Sequence, residues 1–421
     1  MTISFLNKEN NKSKIILFCS YYIIFLSAFY IDENSTGGAY QDYLGYKNLI
    51  ELFIKDFNET LLNFHEYGER HSPLTIIILS FLYKIKLSDE LIRFLFFNFS
   101  TISIFFFYKC LEIKFKYIPS NYLFLISLIF FLSPVYRSLS VWPDSRILGF
   151  HFFIICIFFY LKYFYQNKKI IFCYLNVLFL AISSYLSINF CLFGIFFFYK
   201  FYSDLIKNKK LFNYLLLNFF LAFPAFYYLF ILDVFFINPG LTPGNEANSF
   251  GIKNNFNYSN KTLIIGSIIF FYLLPFFFYF KDKFFLKELN QKELLLIFIF
   301  VIINVFFFNY KTIFTGGGIF FKISNHIFQN NLFFYFLSYY STIVIYLILI
   351  KRKKIDNIIL IAIIIFSNPQ LSIYHKYYDP LLIFLFFTIF DLNFKKNYFT
   401  IKNIAILNIF YLIFLILNFL K

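Results

Sequence analysis

Hydrophobic runs of about 18 residues or more recur from one end of this chain to the other, separated by short polar stretches. A run of that length can cross a hydrocarbon slab of roughly 30 Å as a helix. The first span is predicted at Lys14–Ile31. Further spans are predicted at 91–108, 120–135, 146–165, 170–185, 187–203, 212–235, 263–280, 293–310, 332–350, 356–372, 380–393 and 402–420. The fold class is therefore all-α, a polytopic membrane protein of about 13 transmembrane helices. The runs are continuous rather than alternating, which excludes a β-barrel.

Two segments break the rhythm. Residues 32–72 form a long polar loop directly after the first span. Within it, Leu44, Leu49, Ile50, Phe53, Ile54 and Phe57 recur at helical spacing, so Tyr43–Phe57 is predicted as an amphipathic helix lying in the interface. The next apolar run, Leu74–Tyr83, is too short to cross comfortably. If it did cross, every later basic cluster would fall on the outer side. If 73–87 is a second interfacial or re-entrant helix, the clusters Lys109–Lys116, Asn167–Lys169, Lys207–Lys210, Lys281–Lys292, Lys351–Lys354 and Lys395–Lys402 all fall inside. The basic stretch Lys8–Lys14 then places the N-terminus in the cytoplasm, the C-terminus outside and the 32–90 loop on the outer face of a bacterial inner membrane. One transmembrane domain, 1–421, is expected, with no soluble domain.

Composition sharpens this picture in three ways. The chain is 60% hydrophobic and 26% aromatic, too apolar for a soluble protein of 421 residues. Its 73 Phe and 35 Tyr, with abundant Ile, Asn and Lys, match an AT-rich coding bias, so aromatic abundance and scattered Asn-x-Ser/Thr triplets carry no functional weight. The net charge of +16 sits in short clusters between apolar runs, which points to membrane orientation and not to nucleic acid. Cys19, Cys110, Cys156, Cys173 and Cys191 lie in or beside apolar segments without a CxxC spacing and read as packing residues. The first apolar run lacks a small-residue cleavage site and reads as a signal anchor.

The candidate chemistry collects on the predicted outer face. The loop 32–72 holds eight of the 22 acidic residues: Asp32, Glu33, Asp42, Glu51, Asp56, Glu59, Glu66 and Glu69. Four of the five arginines, Arg70, Arg93, Arg137 and Arg146, fall between residues 70 and 146. The single tryptophan, Trp142, is two residues from Asp144. Later come Gly316-Gly317-Gly318 with Lys322 and His326, then His375-Lys376 in the run Tyr374–Pro380. Each has a plain alternative. An acidic loop can be merely solvated, Asp144 can simply suit a helix start, Trp142 can be an interfacial anchor, and a glycine triplet is a weak phosphate signal. Spacing of Cys and His supports no metal site, although a divalent metal is not excluded. Taken together, surface carboxylates supply a general base, and nearby Arg and Lys supply partners for a phosphate or diphosphate. An aromatic, lipid-facing cleft suits a polyprenyl chain.

The ordered series of motifs resembles the GT-C superfamily of integral-membrane glycosyltransferases, in particular its protein O-mannosyltransferase and aminoarabinose-transferase branch. In that branch an acidic motif follows the first span, then two juxtamembrane helices, the second opening with a His-Pro-Pro-Leu-like motif; here the match is His71-Ser72-Pro73-Leu74. Leu87-Ser88-Asp89-Glu90 and Leu91-Ile92-Arg93 fit the turn and span that follow, and Ser133-Pro134 with Arg137…Asp144 fit the next span end and second acidic loop. Lys376-Tyr377-Tyr378-Asp379-Pro380 is similar to a late Arg-Tyr…Pro element, with Lys in place of Arg. The likeness covers roughly residues 14–165; beyond them it rests on topology.

The resemblance implies an inverting transferase taking a sugar from a polyprenyl-phosphate donor to a lipid, glycan or protein acceptor among membrane lipids. Asp42 is the preferred base, with Asp32 and Glu33 as alternatives, and Asp144 would position the acceptor or share the base role. Arg70, His71, Arg137, Arg146, Lys322, His326, His375 and Lys376 are the candidate substrate- and phosphate-binding residues. No cofactor is firmly expected. A lipid-linked polysaccharide polymerase or ligase is a rival, but early rather than late arginines count against it. A flippase or transporter would carry charges deep within spans or an internal repeat, and few such charges and no clear repeat are seen.

Overall fold

A computed structural model describes residues 11–35, 38–67, 72–230, 257–278, 289–311, 316–351, 355–368 and 372–419. Among them there are helices and turns and no strand. Six helices are long and apolar enough to cross a membrane, or seven if one bent pair counts as a single span. The protein is thus all-α with several membrane-crossing candidates, but the expected count of about 13 is not reached by length and composition. Ile171–Leu186, Leu211–Tyr227 and Ile355–Phe366 are apolar but shorter, and the span expected at 380–393 is helical only over Leu381–Thr388.

The chain divides into two compact units: residues 1–243 with 408–421, and residues 244–407. In unit 1, α1 (Asn11–Tyr30) is the first span. Next come α2 (Ala39–Lys55), the short α3 (Phe57–Leu62) and α4 (Leu74–Lys84). At 11 residues α4 is too short to cross, in line with the charge argument for that segment. The second span, α5 (Asp89–Lys114), starts at Ser88, whose hydroxyl accepts the Leu91 N–H. The following α6 (Ser120–Leu132) and α7 (Pro134–Val141) are bent by 63°. Ser133 caps α7 and Pro134 occupies its first turn, so the chain must turn there. Then come α8 (Ser145–Tyr165), α9 (Ile171–Leu186), α10 (Phe193–Lys207) and α11 (Leu211–Phe230).

The core of unit 1 is aromatic. Phe25 of α1 stacks on Phe97 at 4.0 Å and on Phe131 at 4.6 Å. The α8–α9 pair adds small and polar contacts to its stacked phenylalanines, Phe152 and Phe159 on Phe179. A Cβ on Gly149 would lie 2.9 Å from the Ser187 Cβ, and Ser183 donates to the Gly149 carbonyl at 2.8 Å. In α11, Pro224 interrupts the helix, and the Tyr185 hydroxyl enters the gap. It donates to the Leu221 carbonyl at 2.6 Å and accepts the Ala225 N–H at 3.1 Å, replacing the helical bond those two groups would otherwise make.

The two ends of unit 1 differ in charge. At one end Lys14 reaches Tyr108, Lys116 reaches the Tyr165 carbonyl and Lys168 pairs with Asp204. At the other end, where α1 exits and α7 turns into α8, lie Asp32, Glu33, Asp42 and Asp144 with Arg93, Arg137 and Arg146.

Unit 2 contains α12 (Tyr258–Phe277), α13 (Gln291–Phe306), α14 (Gly318–Ile327), α15 (Leu332–Ile350), α16 (Ile355–Phe366) and α17 (Leu381–Thr388). The last helix, α18 (Ile401–Phe419), carries the chain from this unit back to unit 1. The glycine triplet is a docking turn. Gly316, Gly317 and Gly318 have φ of 118°, 84° and 77°, and the Gly317 N–H donates to the Ile373 carbonyl at 2.9 Å. A Cβ on Gly316 would sit 2.5 Å from that same oxygen.

Candidate functional site

Three elements build the polar end of unit 1. The first is the chain leaving α1, which carries Asp32 and Glu33. The second is the first turn of α2, which presents Asp42. The third is the α7–α8 junction, where Asp144 is the N-cap of α8 and accepts the Arg146 backbone N–H at 2.7 Å.

Asp42 and Asp144 meet on one guanidinium. Arg146 Nη2 is 2.7 Å from Asp144 Oδ2 and also bonds Asp42 Oδ2, while Arg146 Nε is 3.0 Å from Asp144 Oδ1. The two acids are not equivalent. The Asp144 side chain is 0% exposed and that of Asp42 is 38% exposed, with Arg146 between them at 13%. Asp144 therefore holds Arg146 side-on from within, and Asp42 reaches the same nitrogen from the open side. Nearby, the Tyr46 hydroxyl lies 3.4 Å from Ser145 Oγ.

Glu33 and Arg137 form a second pair, 2.9 Å apart with both side chains 1% exposed. Arg137 also donates to the Ile24 carbonyl, and at 3.2 Å to Ser27 Oγ. The Glu33 carbonyl accepts from the Trp142 indole at 3.1 Å. Burial pushes the Glu33 carboxyl above the usual carboxylate range, and the adjacent Arg137 pulls it back part of the way. This pair ties the α1 exit to α7 and leaves no carboxylate oxygen facing solvent.

Arg93 makes the third pair, with Asp32. Its guanidinium lies over the Trp142 ring at 3.7 Å, and its Nε donates to the Val141 carbonyl at 3.3 Å. Tyr40 packs on the same Trp142 ring at 4.6 Å between centroids. Trp142 is thus buried among Arg93, Tyr40 and Glu33, a structural centre for the site rather than an exposed anchor.

Asp89, noted in the sequence only as part of a turn, is a fourth centre. It accepts the Tyr43 hydroxyl at 2.5 Å and the Tyr83 hydroxyl, and Lys47 lies 3.4 Å away. Tyr43 directly follows Asp42, so this hub sets how α2 sits over α4 and the start of α5. Burial and the Asp89 carboxylate together push the Tyr83 phenol up to about 12.

The remaining candidates are placed as follows. Arg70 and His71 lie outside the described residues. Lys322 and His326 are exposed on α14 of unit 2, one helical turn apart. His375 and Lys376 occupy the turn before α17, with His375 Nδ1 3.2 Å from the Tyr272 hydroxyl and Lys376 over the Tyr374 ring at 5.1 Å. Among the described residues no group of three or more His, Cys, Asp and Glu is disposed to hold a metal. A divalent ion between Asp42 and Asp144 would have to take the place of the Arg146 guanidinium.

Fold and site define an all-α protein with a charged end built onto membrane-crossing helices. Comparison with protein families, with curated proteins and with solved structures finds no match to this chain.

Proposed function

We propose that this chain is an inverting glycosyltransferase of the bacterial inner membrane, of GT-C type. It would take a sugar from a polyprenyl-phosphate donor to a lipid, glycan or protein acceptor at the outer face. The observation that carries the reading is the convergence of Asp42 and Asp144 on Arg146 at the polar end of unit 1. The lysine-rich opposite end supports an orientation with that end, and the N-terminus, in the cytoplasm.

On this reading the roles divide by exposure. Asp42, half-exposed, is the base. Asp144 positions Arg146, and Arg146 binds the donor phosphate. Glu33 and Arg137 are structural, because burying both leaves nothing for substrate to touch. Arg93 and Asp32 flank the site. In the transfer step the acceptor oxygen or nitrogen attacks the anomeric carbon and its proton passes to Asp42. The bond from that carbon to the phosphate oxygen breaks, and its electron pair leaves with the polyprenyl phosphate. Base and leaving group must stand on opposite faces of the sugar, the geometry of a single displacement.

The test is transfer from a radiolabelled polyprenyl-phosphate sugar by the purified full chain in vesicles. Asp42→Asn protein that is folded yet transfers at the wild-type rate rejects the base assignment. Movement of the labelled lipid across the bilayer with no new glycoside favours a transporter.

A further inference from the structure

Each of the three described arginines near the site is already engaged by acid: Arg93 by Asp32, Arg137 by Glu33, and Arg146 by Asp42 and Asp144. A donor phosphate that binds a guanidinium here therefore competes with a carboxylate for it. The geometry shows which one can leave.

Glu33 cannot, because both it and Arg137 are 1% exposed and the pair is closed off by Ser27, the Ile24 carbonyl and Trp142. Asp144 cannot, because it is wholly buried and its Oδ1 also caps α8. Moving it would open the helix end as well as the ion pair. Asp42 can. It lies on a different element and its side chain is 38% exposed. Asp32 on Arg93 is more open still at 62%, but Arg146 has in addition a buried carboxylate, Asp144, that keeps the guanidinium in place when the outer acid leaves. The pair is open to water on the Asp42 side, and water there weakens it by screening. A phosphate offers the same guanidinium two oxygens in a matching plane.

We propose that Asp42 and Arg146 form a donor-operated latch. With no donor, Arg146 holds Asp42 and occupies the carboxylate that would act as base. When the polyprenyl phosphate arrives, its phosphate takes the open side of Arg146, Asp144 keeps the guanidinium in place, and Asp42 is released to accept a proton from the acceptor. The consequence is ordered binding, donor before acceptor. It also guards the donor, because the base is freed only beside a seated phosphate. This inference rests on the glycosyltransferase reading and adds to it a competition between one acid and the substrate.

The chain carries its own reporter. Trp142, the single tryptophan, stacks on Arg93 and lies two residues from Asp144. The experiment titrates the purified full chain in detergent with a polyprenyl monophosphate that bears no sugar, and follows Trp142 fluorescence excited on the red edge. The wild-type chain is expected to bind saturably. Asp42→Asn and Asp42→Ser, which remove the competitor, are expected to bind about two- to fivefold more tightly. Arg146→Gln is expected to bind more than about tenfold more weakly. Circular dichroism and gel filtration verify that each variant is folded. Equal or weaker binding by both Asp42 variants, with a wild-type chain that does bind, overturns the latch alone. Absence of saturable binding by the wild-type chain overturns the donor reading and the latch with it.

Discussion

Asp42 and Asp144 are bonded to the same nitrogen of Arg146, one from the open side and one from a fully buried position. The asymmetry separates their mutational signatures. Asparagine caps a helix about as well as aspartate, so Asp144→Asn should keep the α8 start but lose the charge that orients Arg146. A thermal midpoint lowered by a few degrees and a transfer rate reduced at least about tenfold are expected. Asp144→Ala should lose a further ~1 kcal/mol through the missing cap. Thermal unfolding in detergent, alongside the transfer assay, separates the two; equal midpoints for Asn and Ala would contradict the capping role.

The Glu33–Arg137 pair should behave as a buried ion pair does. Removing one partner leaves an uncompensated charge and costs about 3–5 kcal/mol, so Glu33→Gln should express poorly or unfold early. Replacing both, as in Glu33→Leu with Arg137→Met, should recover much of that loss, because apolar residues of similar size carry no desolvation cost. Fluorescence-detected gel filtration reads the outcome. A double variant no better than Glu33→Gln would show that Arg137 matters through its bonds to Ser27 and Ile24 instead.

Asp89 should act on Asp42 at one remove. Tyr43→Phe and Asp89→Asn each break the hub that fixes α2, and each should cost about 1 kcal/mol. Because they share one interaction, their double variant should cost less than the sum. If the hub positions the base, both single variants lower the maximal transfer rate more than they change donor affinity. A loss confined to donor affinity would instead tie Asp89 to substrate.

The Tyr185 hydroxyl bridges the break at Pro224, so Tyr185→Phe leaves the Leu221 carbonyl and the Ala225 N–H without that bridge. A loss of about 1 kcal/mol is expected. In a Pro224→Ala background the helix can close its own bond, and Tyr185→Phe should cost less than half as much. Thermal midpoints of the four proteins check this; additive costs would refute the bridging role.

Much of the fold was legible in the apolar runs, and the non-crossing α4 followed from length and charge alone. The amphipathic helix expected over Tyr43–Phe57 is present as Ala39–Lys55, with Phe57 opening the next helix. Of the apolar residues that marked it, Leu49, Ile50 and Phe53 pack inside the protein and Leu44, Ile54 and Phe57 stay exposed, while Tyr43 and Tyr46 are buried as well. Tyrosine bodies fill the interior while their hydroxyls find Asp89 and Ser145, a choice that periodicity cannot express. The expected 13 spans exceed the six or seven that length and composition support among the described residues, because apolar content alone cannot distinguish a crossing helix from a short one. The site was legible as a list of residues but not as pairs. Nothing in local spacing says that Arg146 serves both Asp42 and Asp144, or that Glu33 is closed off by Arg137. The one available signal was stoichiometric: acids gathered in 32–42 and arginines in 93–146, two sets of opposite charge.

Among the described residues, the arginines that pair with Asp32, Glu33 and Asp42 are all made later than those acids. While the ribosome is still extending the second span, Glu33 and Asp42 have no guanidinium to meet, and α2 has no α7–α8 junction to rest on. The entrance loop must wait, hydrated and undocked, until Arg137 and Arg146 have been delivered to the same side of the bilayer. Arrested nascent chains should therefore expose this loop to protease until Arg137 and Arg146 have left the ribosome and reached the loop's side of the bilayer, and protect it in longer chains, so assembly of the site reports that the helices in between have been inserted the right way round.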